Sequence, residues 1–180
     1  AGPERRLRPN RTCHDMAARL LDGTRIAADI RAELTSRVEN CTQQAQRPPT
    51  LGILLVGDNP ASQVYVNTKS RVGDALGVNV DVVRLPATIT LDAAQDVVHR
   101  FNCSAAHDGI LVQSPLPSSL GPIAEQRLFE VIDPAKDVDG FHPTNVGRLA
   151  QGRALFAPCT PSAILELLDR SCINLEGRRA

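Results

Sequence analysis

The run "LGILLVG", residues 51–57, restricts the fold more than any other stretch of the chain. It is too short for a typical helix, rich in branched side chains and closed by glycine. No polar position alternates within it, so both faces need cover, which describes an interior strand of a parallel sheet. Two further runs read as strands: "VNVDVVRL" (78–85), which alternates, and "DGILVQ" (108–113). A helix-length segment separates each pair. The first begins at Pro60, with Asp58 or Asn59 placed to cap its amides and Gly77 placed to end it in a left-handed conformation. The second, "TLDAAQDVVHRFN" (90–102), carries Thr90 at its cap position. Strand, helix, strand, helix, strand predicts an α/β fold: an open parallel sheet with flanking helices and right-handed connections.

Helical spacing of Ile26, Ala27, Ile30, Leu34 and Val38 predicts a helix over 24–40, and the short apolar "LLDG" before it reads as an edge strand. After the third strand come a turn-rich loop, "SPLPSSLGP", and a helical segment near 123–132. "DPAKDVDGFHPTNVGRL" then reads as an irregular loop. A last helix is expected to open at Thr160 with Pro161 in its first turn and to run through "SAILELLDR", and "INLEGRRA" reads as the approach to another strand. The arginine-rich opening lacks periodicity, while Met16 directly precedes patterned text. Residues 1–15 therefore read as a tag or upstream extension, with an organelle-targeting remnant as the alternative.

Twenty basic and twenty acidic residues cancel, so no overall field favours nucleic acid. The five cysteines are odd in number, widely spaced and without a C-x-x-C pair, which points away from a metal and towards a reducing compartment. No apolar run approaches the roughly 18 residues that span a bilayer.

The chemistry-bearing residues gather in a few places. Tyr65 is the only tyrosine, and Lys69 is one of two lysines in a chain with eighteen arginines. Four apart on a helix, they share a face, with Ser62 one turn earlier. A lysine among apolar walls has its charged form disfavoured and can exchange protons near neutral pH, which arginine cannot do. The plain alternative is a solvated lysine beside a half-buried tyrosine. Gln113 ends the third strand, where ligands of open α/β sheets gather, or is a loop glutamine bonding backbone. Asp137 and Asp139, next to Gly140, form a ligand or metal site or else an Asx-turn cluster. Cys159 in "PCTP" reads as structural or pocket-lining rather than as a nucleophile, and His142 as a loop histidine. Neither G-x-G-x-x-G nor a phosphate-binding P-loop is present in the sequence.

Taken in order, "VGDNPASQVYVNTKSR", "DGILVQSPLP", "PAKDVDGFHPTNVGRL" and "PCTP" closely resemble the bifunctional methylenetetrahydrofolate dehydrogenase/methenyltetrahydrofolate cyclohydrolase family. The resemblance covers about residues 16–180 and implies a two-domain α/β enzyme of one-carbon metabolism. Its amino-terminal domain holds most of the folate site, and its Rossmann-type second domain binds NADP, or NAD in some members. By family motif Lys69 is the proton-transferring lysine, Tyr65 the ring that orients the folate, Gln113 the partner of Lys69, and Asp139 the carboxylate that anchors the pterin. Ser62, Val112 and Ser114 are implied as further substrate contacts and Thr160 as a cofactor contact, with no metal. The resemblance also implies a homodimer in the cytoplasm, or in an organellar matrix if residues 1–15 are a targeting remnant.

Two positions depart from the family pattern: Ser114 stands where leucine is usual, and Ala163 where "PCTP-x-G" expects glycine. The resemblance divides the chain into a folate-binding catalytic domain at 16–150, followed by a linking helix and the start of a dinucleotide-binding domain at 151–180. Family members continue from text like "LEGRRA" into a strand and a nucleotide loop that these 180 residues do not contain. The expectation is therefore a chain without dehydrogenase activity of its own. The rival reading is a non-catalytic folate-binding or dimerisation module.

Overall fold

A computed structural model describes residues 20–177 and residue 179; the expectation for residues 1–15 lies outside these. The elements are helix α1 (Gly23–Ala45), strand β1 (Thr50–Val56), α2 (Pro60–Leu76), β2 (Asn79–Leu85), α3 (Leu91–Cys103), β3 (Gly109–Val112), α4 (Ala124–Val131), α5 (Pro143–Ala150) and α6 (Cys159–Arg170). A single 3₁₀ turn, Ser118–Leu120, lies in the loop after β3. The sheet is parallel in the order β2-β1-β3. Thr50 pairs with Asn79 and runs in register to Val56 with Leu85, while Leu51 pairs with Gly109 and Leu54 with Val112.

The apolar run at 51–57 takes the centre because only there are both of its faces covered. Ile53, Leu54, Leu55 and Val56 are each no more than 1% exposed, and each burial is worth roughly 1.5–3 kcal/mol. Side chains alternate across the strand. Leu54 and Val56 join Ile110, Val112, the inner faces of α3 (Val97, Val98, Phe101) and Leu128 of α4. Ile53 and Leu55 point the other way, to Leu111 and Val66 of α2.

The predicted caps form. Asn59 accepts from the Ser62 amide at 3.1 Å and Thr90 from the Ala93 amide at 3.3 Å. Gly77 closes α2 with φ +77°. Three expectations differ from the structure. "LLDG" is no strand: Asp22 accepts from the Arg25 amide at 2.9 Å and Gly23 is already helical, so the segment is spent on starting α1. "DPAKDVDGFHPTNVGRL" is not irregular throughout: it contains α5, because His142 caps the helix and Pro143 supplies the preset φ of a first turn. The last helix begins at Cys159, one residue early, with Pro158 rather than a hydroxyl at its cap. Among the described residues after α6 there is a turn and no strand.

Gly73 fixes how closely α2 approaches β2. A Cβ there would lie 2.5 Å from Val80 Cγ2 and 3.1 Å from the Val78 carbonyl oxygen. Replacing glycine by alanine in a helix interior ordinarily gains about 0.5–1 kcal/mol, whereas overpacking against a χ1-stiff valine and a fixed carbonyl costs about 1–3 kcal/mol. The clash outweighs the propensity. Gly73→Ala is expected to lower the urea midpoint with an unchanged denaturant slope, and an increase in the midpoint would refute this account of the contact.

Candidate active site

The carboxyl end of β3 opens towards α2, and strand ends of this kind are where open α/β sheets collect ligands. A cleft of about 910 Å³ lies there, walled by Tyr65, Lys69 and Val72 of α2, by Val112, Gln113 and Ser114 at the end of β3, by Asp139 and Phe141, and by Pro158 to Pro161. Much of the wall is apolar, and the polar groups converge on one region of it.

Lys69 Nζ donates to Gln113 Oε1 at 2.9 Å. The Gln113 amide nitrogen donates to the Ser114 carbonyl at 2.7 Å, which leaves Oε1 facing the lysine. Gln113 is 8% exposed, and its backbone amide binds the Leu54 carbonyl at 2.9 Å. Lys69 is half-buried, which sets aside the reading of a freely solvated lysine. Tyr65 stands one turn earlier in the cleft wall and is 62% exposed. A flat ligand thus finds an exposed ring next to a held amine.

Of the residues singled out from sequence, Tyr65, Lys69, Val112, Gln113, Ser114, Asp139 and Thr160 all line this cleft. Ser62 does not. It is 1% exposed, and its hydroxyl points at the Ser114 carbonyl, 3.5 Å away, tying α2 to the loop after β3.

The two aspartates of "KDVDG" part company. Asp139 is half-buried in the cleft wall. Asp137 is 1% exposed and accepts from the amides of Phe141 and His142 and from the Asn145 side chain. His142 caps α5 through Nδ1, which accepts from the Thr144 amide at 3.0 Å. Lys136 donates to the carbonyls of Phe101, Asn102 and Ser104 at 2.8–3.2 Å, closing the carboxyl end of α3. Among the described residues no group of three histidine, cysteine or acidic side chains could hold a metal ion.

Cys159 also faces the cleft, and its Sγ lies 3.6 Å from the Val138 carbonyl. Partial desolvation of the sulfur in an otherwise exposed residue, with the neighbouring Asp139 carboxylate and a small part from Asp137, pushes its thiol up to about 11 from an ordinary value of 9.0, against the opposing pull of Lys69. A thiol held protonated at neutral pH is a poor nucleophile. Phe141 and Val138 complete the wall without having been singled out in sequence; their signal was proximity to Asp139. Asn145 was hidden by the unrecognised α5, although "HPTN" followed by Val146 and Leu149 is a legible helix start.

A second hollow, of about 890 Å³, lies between α1 and α6. Its floor is apolar, and Arg170 spans it to Glu33 at 2.7 Å.

A cleft of ligand size at the carboxyl end of a parallel strand gives the molecule the form of an α/β domain with a small-molecule site. Residues 21–139 match the family described as "Tetrahydrofolate dehydrogenase/cyclohydrolase, catalytic domain", and the chain belongs to that family. It is 44% identical over 161 residues to the bifunctional protein FolD of Lactococcus lactis and 46% identical to that of Nitratidesulfovibrio vulgaris strain DP4; each match covers 89% of this chain and 55% of the relative. The chain spans about half the length of the curated relatives it matches. The crystal structure of the FolD enzyme from Campylobacter jejuni superposes with a TM-score of 0.83 at 38% identity, over 90% of this chain and 56% of that one. A Trypanosoma brucei methylenetetrahydrofolate dehydrogenase-cyclohydrolase, solved with NADP cofactor and inhibitor, gives a TM-score of 0.84 at 34% identity, over 90% and 55%.

The cysteine provides a check on the electrostatics of the cleft. With its titration moved from 9.0 to about 11, Cys159 is expected to react with iodoacetamide at pH 8 about tenfold more slowly than an ordinary thiol, the smaller thiolate fraction outweighing its greater nucleophilicity. Its rate should still be climbing above pH 10. Site-resolved mass spectrometry reads this against Cys41 and Cys103 in the same sample, and equal rates at pH 8 would contradict the assignment.

Proposed function

We propose that this chain carries the folate-binding catalytic part of a bifunctional methylenetetrahydrofolate dehydrogenase/methenyltetrahydrofolate cyclohydrolase, with its cleft serving the hydrolytic step. The observation that carries the reading is the Lys69–Gln113 hydrogen bond, 2.9 Å long, in a cleft that also presents Tyr65 and Asp139. On this reading residues 16–150 form the catalytic domain and 151–180 lead towards a dinucleotide-binding domain.

The substrate is the cationic 5,10-methenyltetrahydrofolate. Asp139 pairs with the planar donors of the pterin, an arrangement that favours two parallel hydrogen bonds. Tyr65 packs on the folate ring system and sets the height of the methenyl carbon over Lys69. Water attacks that carbon from the lysine side, and Lys69 Nζ takes a proton from it as the carbon–oxygen bond forms. The bond from the carbon to N5 then breaks, N5 receives a proton, and a second proton leaves to solvent, giving 10-formyltetrahydrofolate. Gln113 fixes the lysine by accepting one of its hydrogens, which leaves the nitrogen lone pair of the neutral amine to take the proton from water.

The described residues do not fit a dinucleotide. Thr160 faces the cleft, but one hydroxyl does not cradle a pyrophosphate. The turn after β1 leads into α2 through a single glycine, Gly57, followed by Asp58 and Asn59, and not through the glycine-rich loop that lets backbone amides approach phosphates. No step is therefore assigned to NADP on these residues.

Two measurements follow. Lys69→Met, folded as the parent, is expected to lose about 10²–10⁴-fold in the rate of methenyltetrahydrofolate hydrolysis while still binding the folate. If the parent chain binds methenyltetrahydrofolate but decays it no faster than this variant, the cleft is a binding module and not a catalyst. Separately, the 180-residue polypeptide mixed with methylenetetrahydrofolate and NADP is expected to form no reduced nucleotide, and sustained turnover would overturn that part of the reading.

A further inference from the structure

We propose that Asp137 and Asn145 are positioning residues for Asp139, forming a buried polar latch that holds the turn carrying the pterin carboxylate against β3. The proposal rests on the folate reading for the role of Asp139, but its structural half stands apart from that reading.

Neither residue lines the cleft. Asn145 is 0% exposed and Asp137 1% exposed, and among the described residues no ion pair reaches the Asp137 carboxylate. It is satisfied instead by N–H groups. Oδ1 accepts from Phe141 N at 3.3 Å, and Oδ2 accepts from His142 N and from Asn145 Nδ2, each at 2.9 Å. Asn145 Nδ2 also donates to the Pro134 carbonyl at 2.9 Å, so one amide group of α5 holds both Pro134 and Asp137 at the start of the 134–142 segment. A buried carboxylate is tolerated only while such partners stay in place, which makes the loop's path depend on them.

The backbone supplies the other half of the latch. Asp137 bridges Ile110 of β3, and the Ile110 amide donates to the Lys136 carbonyl at 2.7 Å. The Gly140 amide returns to the Asp137 carbonyl at 3.2 Å, closing a turn with Asp139 near its apex. Gly140 has φ +69°, and a Cβ there would lie 3.3 Å from the Phe156 carbonyl oxygen, so the apex is wedged against the segment that enters α6. Asp139 is therefore registered to the same strand whose end carries Gln113. A small shift of the turn separates the carboxylate from the lysine pair, and misplacement on the ångström scale is costly to a reacting geometry.

The test uses the 180-residue chain with Asn145→Ala, Asn145→Ser and Asp137→Asn, at a temperature where urea melts show each variant fully folded. The first readout needs no folate and uses the two Asn145 variants, because the Asp137 charge itself helps to raise the Cys159 titration and must stay in place. The pH midpoint of Cys159 alkylation is expected to fall in them as Asp139 moves away from the thiol, and Asn145→Ser carries this readout should Asn145→Ala not fold. The second is the Kd for 5-formyltetrahydrofolate by calorimetry, expected to rise at least tenfold in every variant, with Asp137→Asn keeping the volume of the site. Folded Asn145 variants with an unchanged cysteine profile and a Kd within twofold of the parent would overturn the latch. A parent chain that binds no folate sinks the functional reading alone, and the cysteine profile then decides the latch by itself.

Discussion

The bond from Lys69 to Gln113 is the contact to which the other features of the cleft refer. It joins α2 to the end of β3, two elements that meet only because β1 lies between β2 and β3 and sends α2 back over its own face. Burying the central strand sets the height of α2, and the close approach at Gly73 sets its distance from β2. The helix face that remains open then presents a ring and an amine one turn apart. The chemistry proposed for the cleft asks for nothing further from these elements than that they stay where hydrophobic burial puts them.

Strands, their order of appearance and three helix boundaries were legible because each is a local decision. A short apolar run cannot be helical and half-exposed at once, Asn59 and Thr90 cap where their side chains reach the first amides, and Gly77 ends α2 in the left-handed region. The pairing of Tyr65 with Lys69 followed from helical spacing alone. The partnership of Lys69 with Gln113 did not. Forty-four residues separate them, and only the resemblance to a known family linked the two in advance.

Where the reading of sequence fell short, a residue had two plausible uses and tertiary contacts chose between them. Asp22 serves α1 and not an edge strand. Ser62, on the predicted face, is turned inward by its contact with the loop after β3. Asp137 and Asp139 were indistinguishable as letters, yet the bridge to Ile110 buries one and leaves the other in the wall. Two positions apart in an extended segment the two carboxylates would share a face, and it is the turn closed by the Gly140 amide on the Asp137 carbonyl that separates them.

The chain is rich in arginine and spares only two lysines, and the structure gives a reason for both. At position 136 three hydrogens from one nitrogen meet three carbonyls of a single helix end, a convergent geometry that a flat guanidinium fork cannot match. At position 69 the nitrogen is held by one acceptor in a place where proton exchange is useful. The bias towards arginine thus halts where a compact tetrahedral head is required. Cyanate or an acylating reagent that capped these two amines would disturb the molecule in separate ways, unfastening a helix terminus at one and breaking the contact with Gln113 at the other.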